Sequence, residues 1–540
     1  MRRVFGDRKR INLGSSMFRR FIETDCLYVD KTRFIEHVLD EASEVLLFTR
    51  PRRTGKSLNL DMLRTFLDCK QDSRAFFEGL YIEGSPAFAQ LNKHPVLLLD
   101  FKELRTRDFF ALLRRMLRRS AAYYLQPDQM DFDLGRYLVE DERKDTGGLR
   151  LLIENIHAVY GIRPIVLIDE YDKVLTDSVG TPEYEDIRKW ITEVFESAFK
   201  GNASLEKAII TGITRVSQES MFSGLNNPEI IDVFTPSAYD GDFSLTEEEA
   251  VELLDEGQLA IAREWYNNYR VGNEKLYTMY SVMSYLKSGQ LRNYWGKSGT
   301  MDLLGRFLNT KRMENLVDLF SPGAKLTTAL EQRLSYQMLL QNSSDKMYYS
   351  LAVQAGYLSH ELLSQTGTDE MYQVYIHNEE LRSVWRSFIL DDTVQDPDNR
   401  IRDVFASIGN TEEFSKRLVD YISFRLSYFD LKAELEWVYH VLTLGLMLGA
   451  GFKCTSNKES GYGRYDLLVE GEGFVAILEF KTAKTQRGLV KEAKDALAQI
   501  DDQKYFAILD RRDATAAPIY KVGIACYKTS CHVETVLHDG

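Results

Sequence analysis

The sequence predicts an α/β protein in three parts. Two observations carry this. Up to about residue 240, short continuous apolar runs alternate with helical stretches, the pattern of strands buried on both faces in a parallel sheet. After a polar stretch at 391–399 (Asp-Asp-Thr-Val-Gln-Asp-Pro-Asp-Asn), a compact α-β-β-α-β-β order closes the chain. The intervening sequence is mostly helical in pattern. The expected divisions are 1–240, 241–395 and 396–540. More than one domain is the natural expectation for 540 residues.

In the first part, strands are predicted at 45–48 (Val-Leu-Leu-Phe), 96–101, 165–168 (Ile-Val-Leu-Ile) and 207–212, with helices at 58–67 and 149–159. Between the second and third strands, residues 105–119 hold Arg105, Arg107, Arg114, Arg115, Arg118 and Arg119. Phe109, Leu113, Met116 and Leu117 are interleaved at helical spacing. Two readings stay open for this basic rim: a solvated face paired to nearby acids, or a contact for phosphates or an acidic partner. In the second part, Thr246-Glu247-Glu248-Glu249 opens a helix with a capping-box pattern, and 372–376 is strand-like. In the third, a helix is expected at 433–448, strands at 465–469 and 474–479, a helix at 490–500, and strands at 505–509 and 522–526.

Composition excludes several classes. Hydrophobic residues are 44% and charged residues 28%, an ordinary globular balance. The five cysteines form no C-x-x-C pair, which argues against a disulfide framework or a zinc site. No apolar run follows the basic Met1-Arg2-Arg3, and the longest apolar stretch, 441–452, is too short to span a bilayer. A cytoplasmic protein without a membrane partner is expected. The net charge of −13 disfavours indiscriminate nucleic-acid binding but leaves room for a local basic track.

The chemistry begins at Arg50-Pro51-Arg52-Arg53-Thr54-Gly55-Lys56-Ser57, placed between a buried strand and a helix. A loop in that position cradles phosphates with its backbone N–H groups and the helix N-terminus. A lysine reaches the terminal phosphates and a hydroxyl ligates Mg²⁺. Arg53, Thr54, Gly55, Lys56, Ser57 and Leu58 are the candidate contacts to ATP. The first loop position is Arg50 where glycine is usual. Downstream, Ile165-Val166-Leu167-Ile168 ends in Asp169-Glu170. Asp169 is expected to help Ser57 hold Mg²⁺, and Glu170 to polarise the attacking water. Thr211 and Arg215 follow the fourth strand. They are either γ-phosphate sensors or an ordinary exit from a strand.

The segments 27–32 (Leu-Tyr-Val-Asp-Lys-Thr), 50–57, 167–172 (Leu-Ile-Asp-Glu-Tyr-Asp), 210–215 (Ile-Thr-Gly-Ile-Thr-Arg) and 222–227 (Phe-Ser-Gly-Leu-Asn-Asn) together resemble the bacterial AAA-ATPase-like proteins fused to a C-terminal PD-(D/E)XK nuclease superfamily domain. Arginine at the first loop position is a habit of that family. Trp265-Tyr266-Asn267-Asn268-Tyr269-Arg270 resembles its W-Y-D-G-Y segment, with Asn268 where glycine is usual. Thr278-Met279-Tyr280 stands where N-P-W is usual. His377-Asn378-Glu379-Glu380 resembles its P-N-x-E segment. The resemblance implies a P-loop NTPase in 1–240, a helical lid or linker in 241–395, and a restriction-endonuclease-like α/β domain in 396–540.

In that last part, Glu479-Phe480-Lys481 lies one strand after Asp466. Strand alternation puts Glu479 and Lys481 on one face, and a hairpin can bring Asp466 opposite Glu479. Taken alone, E-x-K on a strand also reads as a same-face ion pair. The resemblance implies Glu436, Asp466, Glu479 and Lys481 as a catalytic cluster supported by Gln499, with Asp466 and Glu479 holding Mg²⁺ or Mn²⁺. The expected function is then an ATPase with a metal-dependent nuclease acting on DNA or RNA, in a setting such as defence against mobile elements. The alternative is an NTP-dependent switch whose C-terminal domain binds nucleic acid or protein without cutting. ATPases of this class often take an arginine from a neighbouring copy. A homo-oligomer is therefore one expectation, with Arg52, Arg53 and Arg215 as candidates.

Overall fold

The computed structural model describes the chain apart from residues 1–3, 7–9, 140–144, 216–227, 296–298, 309–311, 313–314, 317, 321–322, 335, 337–338, 340–343, 367–368, 394–399, 427–442, 445–446, 448–451, 457–458, 461–462, 472, 506–516, 528–529 and 539–540. The described chain forms two compact units. One is Met1–Phe307 with Thr327–Leu381, and the other Leu308–Leu326 with Arg382–Gly540.

The first unit is built on five parallel strands: β1 (Val45–Thr49), β2 (Val96–Asp100), β3 (Ile165–Asp169), β4 (Lys207–Gly212) and β5 (Glu229–Ile231). Their order across the sheet is β2-β3-β4-β1-β5. Leu46, Leu47, Phe48, Val166, Leu167, Ile168, Ile209 and Ile210 are fully buried, as expected of strands covered on both faces. Parallel neighbours need crossovers, and the helices α1 (Lys56–Leu67), α2 (Phe109–Tyr124), α3 (Gly148–Tyr160) and α4 (Tyr184–Phe199) lie in those connections. The sequence does not predict β5: three residues opening on an exposed glutamate give no apolar run. On α2, Arg114 is buried over the Tyr137 ring, Arg118 donates to the Leu138 carbonyl, and Arg119 pairs with Glu103 at 3.2 Å. These three arginines of the basic rim thus have partners within the chain.

After residue 240, α5 (Glu247–Leu253) starts at a reciprocal cap. Glu249 N–H donates to Thr246 Oγ1 at 3.3 Å, and Thr246 N–H donates to Glu249 Oε2 at 2.8 Å. Further helices, among them α6 (Met279–Ser288) and α7 (Asp345–Gln354), precede a hairpin of β6 (Ser359–Thr366) and β7 (Asp369–Tyr375). The strand-like 372–376 signal belongs to β7. Its partner β6 opens with Ser-His-Glu and so gives no strand pattern. Helix α8 (Glu379–Thr393) follows.

The second unit carries a five-stranded sheet of β8 (Lys453–Ser456), β9 (Leu467–Gly471), β10 (Phe474–Thr482), β11 (Ile519–Tyr527) and β12 (Ser530–Leu537), in that order. Only β10 and β11 pair in parallel. Helix α9 (Leu489–Asp502) lies in the connection between them. The expected strands at 474–479 and 522–526 fall within β10 and β11. The polar edge strands β8 and β12 are not predicted by the sequence pattern. The helix expected at 433–448 and the strand at 505–509 fall largely outside the described residues. Among the described residues, no helix is long and apolar enough to cross a membrane.

Candidate functional site

The first site forms at the carboxyl ends of β1, β3 and β4, where parallel sheets place ligand crevices. β1 runs into the loop 50–55, and Gly55 caps α1 with a φ of +94°, a backbone conformation that suits glycine. Lys56 is buried. Its Nζ donates to the carbonyls of Arg50 at 2.9 Å and Pro51 at 2.7 Å, and burial pushes its ammonium below the usual lysine range. Ser57 Oγ donates to Asp169 Oδ2 at 2.5 Å, and Thr211 Oγ1 to Asp169 Oδ1 at 2.6 Å. A hydroxyl facing a carboxylate here is a hard-oxygen donor set of the kind Mg²⁺ takes. Thr54 Oγ1 closes the loop on the Pro51 carbonyl at 2.9 Å. Leu58, with these loop residues, lines a cavity of about 340 Å³.

Arg50 explains why the first loop position is not glycine. Its backbone N–H bonds Gly212 O at 3.1 Å, and its fully buried guanidinium turns away from the loop. There it donates to the carbonyls of Thr49, Ile231 and Asp232 at 3.1, 3.1 and 2.7 Å. The residue therefore stitches β1 to the end of β5. Arg53 has a φ of +63°. Its guanidinium lies 4.4 Å from the Tyr280 ring centre and donates to Tyr294 O. Glu170, also at positive φ (50°), stands 3.6 Å from Lys102 Nζ. Arg215 is half-buried, and its backbone N–H donates to Gln354 Oε1 at 3.1 Å. Burial lowers its guanidinium from the usual value, and the neighbouring Arg333 charge acts in the same direction.

Behind the loop, the segment 240–244 is fastened to it. Ser244 N–H donates to Thr54 O at 2.9 Å, and Asn59 Nδ2 donates to Asp242 O at 3.0 Å. The Asp242 carboxylate pairs with His37 Nδ1 at 2.8 Å, and that hydrogen bond raises the imidazole above its ordinary value against an opposing burial effect. The sign follows. A raised folded value stabilises the protein below about pH 6.5, the unfolded value, and this is lost as pH rises through the folded one. Thermal melts of wild type should therefore fall relative to His37→Gln as pH is raised from about 6.5; parallel profiles would contradict the pairing.

The second site lies where β9 and β10 face α9. Phe480 N–H donates to Asp466 Oδ2 at 2.8 Å, and Asp466 N–H to Glu479 Oε2 at 3.4 Å, so the two carboxyls sit across one hairpin. Lys481 Nζ donates to Gln499 Oε1 at 2.5 Å, and Gln499 Nε2 donates to Glu479 Oε1 and, at 3.1 Å, to Tyr505 Oη. Glu479 is buried, and burial raises the Asp466 carboxyl above the usual range, opposed by the Phe480 hydrogen bond and the Lys481 charge. Gly523 of β11 makes this assembly fit: a Cβ there would lie 2.2 Å from Ala493 O of α9. Glu436 lies outside the described residues. Among the described residues, no group of three or more His, Cys, Asp or Glu forms a metal cage. Asp466 and Glu479 supply two carboxylates of the kind that holds Mg²⁺ or Mn²⁺.

Comparison with known proteins finds two described domains. Residues 12–222 match the family model described as a predicted AAA-ATPase, and residues 434–536 match that of the PD-(D/E)XK nuclease superfamily. The chain joins an AAA-ATPase-like domain to a PD-(D/E)XK nuclease superfamily domain. A similar curated protein is the "Uncharacterized protein in vnfD 5'region" of Azotobacter chroococcum mcd 1, 26% identical over 536 residues and 96% of each chain. The structure of the Aeropyrum pernix ORC1 protein in complex with DNA is similar over 67% of this chain and 91% of that one, with a TM-score of 0.21 and 12% identity.

Several residues at these sites have no role assigned by the sequence. In the first unit, Met279, Tyr280 and Met283 of α6 line the cavity with Ile11 and Leu13, residues far from the phosphate loop in sequence. Asp172 is buried and accepts from Ile213 N–H, Thr214 N–H and Thr214 Oγ1 at 3.0, 2.8 and 2.9 Å, fixing the exit of β4. The central segments at 265–270, 278–280 and 377–380 also come together. Asn378 Nδ2 donates to Asn267 O at 2.9 Å, and Ser281 Oγ to Glu380 Oε1 at 2.9 Å. Asn268 has a φ of +70°, so asparagine occupies a left-handed position of the sort glycine suits. The residue identities are visible in the sequence, but nothing local tells that they meet.

Proposed function

We propose that the protein binds and hydrolyses ATP in its N-terminal domain and cleaves DNA or RNA phosphodiesters in its C-terminal domain with Mg²⁺ or Mn²⁺. ATP would lie against Gly55, Lys56 and Ser57, with Mg²⁺ held by Ser57 and Asp169. Glu170 would orient the attacking water, and Lys102 would restrain Glu170 until then. Thr211 and Arg215 would report the γ-phosphate to Tyr336 and Gln354, to which this strand exit is bonded. In the nuclease-superfamily domain, Asp466 and Glu479 would hold the metal, and Glu436 would complete the catalytic cluster. The bound metal would polarise the scissile phosphate and lower the pKa of a water. Lys481, steadied by Gln499, would stabilise the charge that develops on the phosphate. Domains at 1–240, 241–395 and 396–540, a cytoplasmic location and a role against mobile elements complete the reading.

The observation that carries it is the hydrogen-bonded chain that runs from Asp466 through Glu479 and Gln499 to Lys481, since mere binding needs no such convergence of two carboxyls and a lysine. The test is cleavage of plasmid and of single-stranded RNA with Mg²⁺ or Mn²⁺, with and without ATP. Activity should fall at least about a hundredfold in Asp466→Ala and in Lys481→Ala; cleavage that survives in both rejects the nuclease assignment. A switch that binds without cutting is the second reading. Its support is the net charge of −13, which disfavours broad nucleic-acid binding. Calorimetric titration with Mn²⁺ of wild type and Glu479→Ala separates the two.

A further inference from the structure

Arg53 belongs to the phosphate loop, yet its side chain leaves the phosphate side. The guanidinium covers the Tyr280 ring at 4.4 Å and donates to Tyr294 O. Glu380 holds the same segment from its other side. Its Oε1 accepts from Tyr294 N–H at 2.7 Å, Trp295 N–H at 2.8 Å and Ser281 Oγ at 2.9 Å. One cation therefore grips the Tyr294 carbonyl, and one carboxylate grips the Tyr294 N–H. Both also reach α6, through the neighbouring residues Tyr280 and Ser281.

The packing around this pair is tight. Gly356, at a φ of +84°, sits where a Cβ would come within 2.9 Å of Pro51 Cβ in the loop and 3.1 Å of the Trp295 ring. Glu380 is buried and its Oε2 has no hydrogen-bond partner among the described residues. Burial pushes its carboxyl up to about 7, and the Arg53 charge works against that rise. The wall so anchored carries Met279, Tyr280 and Met283, the apolar side of the cavity whose other side is Lys56 and Ser57. An apolar wall facing a phosphate loop suits the base of a nucleoside triphosphate, which presents a flat, weakly polar surface.

We infer that Arg53 and Glu380 are positioning residues that hold the base-facing wall of α6 in register with the phosphate loop, so that the base and the phosphates of one nucleotide are bound together. Neither need touch the phosphates. This rests on the ATP reading above, and tripolyphosphate separates the two, because it offers the same phosphates without a base. The experiment is calorimetric titration of the full-length protein with Mg-ATP and with Mg-tripolyphosphate, for wild type, Arg53→Met, Glu380→Gln and Lys56→Ala.

Arg53→Met and Glu380→Gln should each weaken ATP by roughly five- to tenfold, the scale of one net hydrogen bond. Their tripolyphosphate affinity should change far less. Lys56→Ala should weaken both ligands. Equal losses for ATP and tripolyphosphate in Arg53→Met, or no loss with either, overturn the inference. Unchanged titrations in Lys56→Ala, or no ATP binding by wild type, reject the ATP reading instead. Should Glu380→Gln fail to fold, Arg53→Met decides alone, since Arg53 is exposed and its replacement opens no cavity.

Discussion

Asp172→Ala is expected to destabilise the N-terminal unit by about 2 kcal/mol or more, because a buried donor left unsatisfied costs about 1–3 kcal/mol and this change orphans two. The two are Ile213 N–H and Thr214 N–H, both bonded to Asp172 Oδ2; Thr214 Oγ1 also loses that oxygen but keeps Tyr336 Oη at 2.9 Å. They lie immediately after Thr211, whose hydroxyl holds Asp169, and beside Tyr171, whose hydroxyl donates to Thr214 O at 2.8 Å. Loss of the carboxylate should therefore loosen the strand exit and suppress ATP turnover together. Asp172→Asn keeps an acceptor oxygen at the same place. It should cost much less, since burial already pushes the Asp172 carboxyl above its ordinary value and disfavours its charge. Urea unfolding of wild type and both variants, with ATP turnover alongside, checks this. Equal stability of the alanine and asparagine variants would refute the role given to the oxygen.

Gly523→Ala should damage the C-terminal site although residue 523 carries no chemistry. Its added Cβ would stand 2.2 Å from Ala493 O and 3.0 Å from Leu497 N, both backbone atoms of α9. Backbone cannot swing aside as a flexible side chain can, so the helix must shift, at a cost of about 1–3 kcal/mol. Gln499 rides on the same helix and bonds both Glu479 and Lys481. A displacement near 1 Å can cost about a hundredfold in rate. The variant should thus lose metal-dependent cleavage by about that factor while remaining folded by circular dichroism. Wild-type cleavage in Gly523→Ala would show that Gln499 is not needed for the site's geometry.

Much of this protein is legible in its residue order alone. Continuous apolar runs give β1 to β4, because a strand buried on both faces leaves no polar position. The loop at 50–57 and the pair Asp169-Glu170 stand at the ends of two such runs. Glu479 and Lys481 share a face by strand alternation alone. β5, β6, β8 and β12 are not legible, because a short or edge strand exposes much of its surface and keeps a polar composition. The same holds for residues whose partners are distant in sequence. Lys102 meets Glu170, and Glu380 reaches Ser281, only through the chain folded between them.

Two positions mark the division most clearly. At Arg50 the sequence shows only that the usual glycine is missing. The fold shows why: the guanidinium satisfies three buried carbonyls across β1 and the end of β5, a task glycine has no atoms to perform. At Arg53 the sequence offers a cationic neighbour for phosphates, and the fold turns it toward Tyr280 and Tyr294. The chemistry of the chain is determined by residue type and local spacing, because phosphate loops and strand-borne carboxylates are built from contiguous backbone. The direction in which each charged side chain points is decided by tertiary structure, because it depends on carbonyls and rings supplied from hundreds of residues away.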